Sequence, residues 1–129
     1  LNNSDTLVLR LFDIIEVNRF SENLNLSAIS DADLSIGGLT VDTKYYYGKT
    51  PTITKFRPAA NGKLYLTNVS GELASNYTVP INLTTVVDAE NFASWKVYVN
   101  GAEARGFVPV YANGVLKAKF KRGLAIIFR

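Results

Sequence analysis

Trp95 through Phe120 reads Trp-Lys-Val-Tyr-Val-Asn-Gly-Ala-Glu-Ala-Arg-Gly-Phe-Val-Pro-Val-Tyr-Ala-Asn-Gly-Val-Leu-Lys-Ala-Lys-Phe. Twice in this stretch an Asn-Gly pair separates two short runs rich in Val, Tyr and Phe. Asn-Gly suits a two-residue type I′ turn, because both central residues need positive φ, and that turn matches the twist of an antiparallel pair. Asn100-Gly101 and Asn113-Gly114 therefore predict hairpins, and Asn61-Gly62 reads as a third before Lys63.

Working outward, short β signals continue through Leu24 to Ile29, Leu34 to Val41, Thr43 to Tyr47, Thr52 to Phe56 and Lys63 to Val69. Such spacing predicts an all-β antiparallel sandwich, jelly-roll or Ig-like. Between Ser75 and Val87, the residues Tyr77, Val79, Ile81, Leu83 and Val87 share one parity, and Asn76, Thr78, Pro80, Asn82 and Thr84 the other. Pro80 cannot donate to a ladder, so this strand is expected at an edge or bulged. Only Asp88 to Ala93 has room for a helical turn.

The N-terminal segment is different. In Asp5 to Phe20, the odd positions Leu7, Leu9, Leu11, Ile15 and Val17 form an apolar file broken only by Asp13. Extended, Leu7 to Val17 would reach roughly 35 Å. The same residues can be wound as a helix from Ser4, but Thr6, Val8, Ile14, Ile15 and Val17 are β-branched and lose rotamer freedom there. A strand so long and apolar either closes its own domain or completes a neighbour's sheet by strand addition. The second option divides the chain into a donor strand, residues 1–20, and a β-sandwich domain, residues 21–129.

Composition narrows the function. The 129 residues are 47% hydrophobic and 19% charged, enough for one domain with its own core. No apolar run approaches the ~20 residues of a membrane-spanning helix. The chain has no His, Cys, Met or Gln. Without His or Cys the commonest general base and the thiol nucleophile are missing, so no enzyme is expected. The carboxylate pairs Asp31/Asp33 and Asp88/Glu90 have no spacing that marks an acid/base pair. No cofactor is expected; a Ca²⁺ site on Asp31, Asp33 and Asp42 is the weak alternative. The net charge is +3. Lys117, Lys119, Lys121 and Arg122 cluster, and the lysines alternate with Leu116, Ala118 and Phe120, as on the wet face of a guarded edge strand rather than a nucleic-acid footprint.

Five Asn-X-Ser/Thr triplets begin at Asn2, Asn25, Asn68, Asn76 and Asn82, and the last two share the wet parity of the Ser75–Val87 strand. They are candidate N-glycosylation sites of a secreted protein. With no leader ahead of Leu1, a secreted chain would be in its processed form. Tyr45, Tyr46, Tyr47, Tyr65, Trp95 and Tyr98 offer the materials of a stacking platform for sugars, or of ordinary cross-strand packing.

Phe56 to Gly71, a proline turn followed by an alternating strand ending in Asn, with a second alternating strand at Tyr77 to Leu83, resembles the camelysin/TasA-like matrix-fibre proteins and related archaeal bundling pilins. Asn25-Leu26-Ser27-Ala28 with its Asp-rich turn is similar to their early strand. Pro58-Ala59-Ala60-Asn61-Gly62 departs from the Pro-Gly-Asp common in the bacterial members. The resemblance implies a secreted jelly-roll-like subunit of a cell-surface filament, found in archaea or in biofilm matrices, polymerising head to tail by donor-strand complementation. On it, Leu7, Leu9, Leu11, Ile15 and Val17 are the donated residues. The competing readings are a carbohydrate-binding β-sandwich module and a laterally assembling surface-layer or viral coat domain.

Overall fold

The described residues pass back and forth between two five-stranded sheets. The structure, a computed structural model, describes residues 14–18, 20–44 and 50–121. The strands are β1 (Ile14–Val17), β2 (Leu24–Asn25), β3 (Ile36–Asp42), β4 (Thr52–Thr54), β5 (Pro58–Thr67), β6 (Asn76–Leu83), β7 (Lys96–Val99), β8 (Ala102–Glu103), β9 (Phe107–Ala112) and β10 (Val115–Phe120). One sheet has the order β1-β3-β5-β7-β8 and the other β2-β4-β6-β10-β9. Through β7, odd-numbered strands belong to the first sheet and even-numbered ones to the second. Each return to a sheet therefore adds a parallel neighbour.

The first sheet is stacked in register. Ile15, Leu39, Leu64 and Val97 are successive partners across β1, β3, β5 and β7, and so are Val17, Val41, Leu66 and Val99. Apart from Val99, which is half-buried, these side chains are buried. The opposite parity carries Glu16, Thr40, Tyr65 and Tyr98 on the outer face, where the two tyrosine rings stack at 5.2 Å. In the second sheet Leu24, Ile53 and Leu83 are partners across β2, β4 and β6. Both inner faces close on a core that includes Phe56, Phe92 and Trp95, with the Phe92 and Trp95 centroids 5.0 Å apart.

The predicted all-β class is observed, but the uniformly antiparallel sandwich is not. Among the described residues five strand pairings are parallel and three antiparallel. The physical reason lies in the connections. A two-residue Asn-Gly turn returns the chain directly beside its own strand, whereas a longer connection crosses to the other sheet and comes back parallel. Asn100-Gly101 joins β7 to β8 and Asn113-Gly114 joins β9 to β10, all four residues with positive φ as predicted.

Asn61-Gly62 is not a hairpin. It lies within β5, where the β3 pairing jumps from Ile36–Pro58 to Gly38–Lys63, so it is an irregularity that lifts the strand over Trp95. The strand from Ser75, here β6, is central, between β4 and β10, and not an edge. Its pairing with β10 slips between Asn82–Val115 and Thr78–Lys117, so Pro80 falls in a bulge. β10 is likewise internal, between β6 and β9, and its lysines guard no edge. A short 3-10 helix, Ala89–Ser94, occupies the expected helical turn.

Candidate assembly interface

Strand order gives the molecule two dissimilar ends. At one end lies β1, paired among the described residues on a single side, with β3. Ile15 and Val17, expected in a donated strand, are 8% and 5% exposed and occupy the chain's own sheet. Leu7, Leu9 and Leu11 lie outside the described residues. The Ile14 side chain is 46% exposed and lies across Gly38, where a β carbon would stand 2.9 Å from Ile14 Cγ1. Gly38 thus lets an outward isoleucine lie over its neighbour strand.

At the other end β9 is, among the described residues, the last strand of the second sheet, with the 3-10 helix beside it. Phe92, Ala93, Val108, Pro109, Val110 and Tyr111 line a groove of about 570 Å³ between the two. That is within the range of ligand-holding pockets. Exposed Glu90 and Lys121 border it. Lys121 N–H donates to Gly106 C=O at 2.7 Å. By the alternation of an antiparallel ladder, the main chain of Phe107, Pro109 and Tyr111 then faces away from β10. Pro109 stands where its missing N–H deprives no partner. The side chain of Tyr111 turns inward, its hydroxyl donating to Leu83 C=O at 2.7 Å.

This groove was not anticipated from sequence. The available signal was Phe107-Val108-Pro109-Val110-Tyr111, apolar on both parities with a proline in the middle, the composition of an edge strand that something covers.

The remaining candidate residues are dispersed. Asn25, Asn68, Asn76 and Asn82 are all exposed, and Asn76 and Asn82 stand on the outer face of β6. The Asn25 carboxamide oxygen accepts from Ser27 N–H, and Asn68 Nδ2 donates to Asp42 Oδ1 at 2.9 Å. Asn2 lies outside the described residues. Asp31 Oδ1 is 2.6 Å from Lys55 Nζ, and Asp42 Oδ1 accepts Lys44 N–H, while Asp33 sits in an exposed turn. Among the described residues no group of three or more His, Cys, Asp or Glu could hold a metal ion. No described helix is long and apolar enough to cross a membrane.

Trp95 cannot join a sugar platform. It is 2% exposed, and its Nε1 donates to Ala59 C=O at 2.6 Å. Tyr65 and Tyr98 are half-buried on the outer face of the first sheet, and Tyr45, Tyr46 and Tyr47 lie outside the described residues. Lys117 and Lys119 lie beside Thr78 and Asn76 on the second sheet; Arg122 is outside the described residues.

No protein-family model, curated protein or solved structure matches the chain.

Proposed function

We propose that this chain is a non-catalytic structural subunit of an extracellular filament, N-glycosylated on its outer faces, that polymerises by lending its N-terminal strand segment to the next subunit. The observation that carries this reading is the register of β1. Ile14 pairs with Gly38, and β3 begins at Ile36. A strand continued backward from Ile14 therefore reaches the start of β3 by residue 12. Leu7, Leu9 and Leu11 would extend past it with no partner on β3, over roughly 13 Å.

Three leucines spaced for one face of a strand do not rest in water without cost. Burying them stabilises by ~1.5–3 kcal/mol each, or roughly 5–9 kcal/mol before ordering costs. In this reading one continuous strand serves two subunits: Ile15 and Val17 complete its own first sheet, and Leu7, Leu9 and Leu11 enter a neighbour. Such a contact is heterologous and builds an open filament when it does not close into a ring. The motif resemblance at residues 56–71 and the exposure of four sequon asparagines support the same reading.

Removal of residues 1–12 tests it. The shortened protein keeps β1 and is expected to stay monomeric by light scattering and electron microscopy under conditions where the whole chain forms fibres. Polymerisation of the shortened protein would refute the proposal.

A further inference from the structure

The geometry points to the groove between the 3-10 helix and β9 as the acceptor for residues 7–11 of a second copy of this chain. The inference rests on the filament reading above and adds to it the receiving site. Its first support is placement. β1, from which the N-terminal segment departs, and β9 are at opposite ends of the strand order. A contact between the segment before β1 of one copy and the β9 end of another therefore joins unlike surfaces, which is the heterologous contact a filament requires.

The second support is fit. The lining run Val108 to Tyr111 is four residues long, and Leu7 to Leu11 spans five. The groove is walled by Phe92, Ala93 and the two valines, surfaces that take leucine side chains and offer no buried charge. With Pro109 lacking a donor, the outward main chain of β9 at these positions supplies the Pro109 and Tyr111 carbonyls and the Tyr111 N–H. Pairing therefore fixes position, while apolar burial supplies most of the affinity. The third support is charge. Between Leu9 and Leu11 stands Arg10, a partner for Glu90, and an acidic residue lies on either side of the leucines, Asp5 and Asp13, one of which can face Lys121 in a given register. Exposed pairs of this kind set register more than they add affinity.

The chain has no cysteine, so introduced thiols report without background. The full-length double variant Leu9→Cys/Val110→Cys, oxidised after assembly, is expected to give a ladder of covalently linked multimers on denaturing gels. Each single variant should give no ladder. A disulfide requires Cα atoms about 4.4–6.8 Å apart, so the ladder reports occupancy of the groove itself. As a second measurement, Val110→Asp, checked for its native circular dichroism, should raise the concentration needed for assembly on the order of tenfold or more. Fibres that form with no ladder and are indifferent to Val110→Asp overturn the groove while leaving the filament reading intact. A disulfide closed within single chains overturns it too, because the segment then fills its own groove. Absence of fibres from the unmodified protein overturns both.

Discussion

Gly62 lies flat against the indole of Trp95: a β carbon at position 62 would stand 2.6 Å from Trp95 Nε1. The close approach explains why Asn61-Gly62 forms an irregularity inside β5 rather than a turn. Asn61 takes positive φ, its N–H is received by Ser94 Oγ at 2.8 Å, and the chain is drawn down over the ring. Gly62→Ala is therefore expected to displace Trp95 and weaken its bond to Ala59 C=O. The cost should be about 1–3 kcal/mol, as for other overpacked cores, read from urea unfolding followed by Trp95 fluorescence.

Arg57 joins three connections at one end of the molecule. Its Nε is 2.9 Å from Asp88 Oδ2, and its NH1 donates to Asp31 C=O at 2.6 Å and to Leu34 C=O at 3.2 Å. Arg57→Ala is expected to cost about 1–3 kcal/mol, chiefly by orphaning the carbonyls. Asp88→Gly, which tolerates the left-handed backbone at this position (φ 56°), should cost under about 1 kcal/mol, because that ion pair is largely screened. Arg57→Lys should recover little, since an ammonium cannot span the same partners. Equal losses for Arg57→Ala and Asp88→Gly in thermal unfolding would contradict this ranking.

The two hairpin asparagines have unequal duties. Asn100 shapes its turn and also clasps Val69, accepting its N–H at 3.0 Å and donating to its C=O at 3.0 Å. Asn113 has the turn conformation, φ 54°, on an exposed tip. Asn100→Gly keeps the backbone freedom and deletes the clasp, so it should destabilise by ~1–2 kcal/mol. Asn113→Gly should be within ~0.5 kcal/mol of the unmodified protein. Comparison of denaturation midpoints decides.

Burial raises the pKa of the Tyr77 hydroxyl above its ordinary value, and a hydrogen bond with Thr43 acts in the opposite sense. The folded state thus favours the neutral phenol. Its contribution is fully present below the unfolded value, about 10, and is lost as pH rises from there through the higher folded value. Stability measured from pH 8 to 11 should fall less steeply for Tyr77→Phe than for the unmodified chain. Parallel curves would show that Tyr77 carries none of the alkaline loss.

Much of the architecture was legible locally. Asn100-Gly101 and Asn113-Gly114 specified their own hairpins because every determinant lies within the turn. The alternation of β6 and the bulge at Pro80 were legible for the same reason. The stacking of the first sheet was harder to read. Ile14-Ile15-Glu16-Val17, Gly38-Leu39-Thr40-Val41, Lys63-Leu64-Tyr65-Leu66 and Lys96-Val97-Tyr98-Val99 form one four-residue frame recurring down the sheet. Its unequal intervals of 24, 25 and 33 residues, from Ile14 to Gly38, Lys63 and Lys96, hide it from a search for fixed period. The groove depends on the 3-10 helix coming to rest beside β9, a long-range event that no local pattern encodes.

The alternation of strands between two sheets also sets a timetable. The hairpins at Asn100-Gly101 and Asn113-Gly114 need only adjacent residues and close on the order of microseconds. The parallel layers must each wait for a distant stretch of chain, which slows them. The stretch from Lys96 to Phe120 is thus equipped to organise before the parallel layers, and β3 keeps a bare flank until β1 arrives. During that interval any strand of suitable pattern, from the same molecule or another, competes for the place.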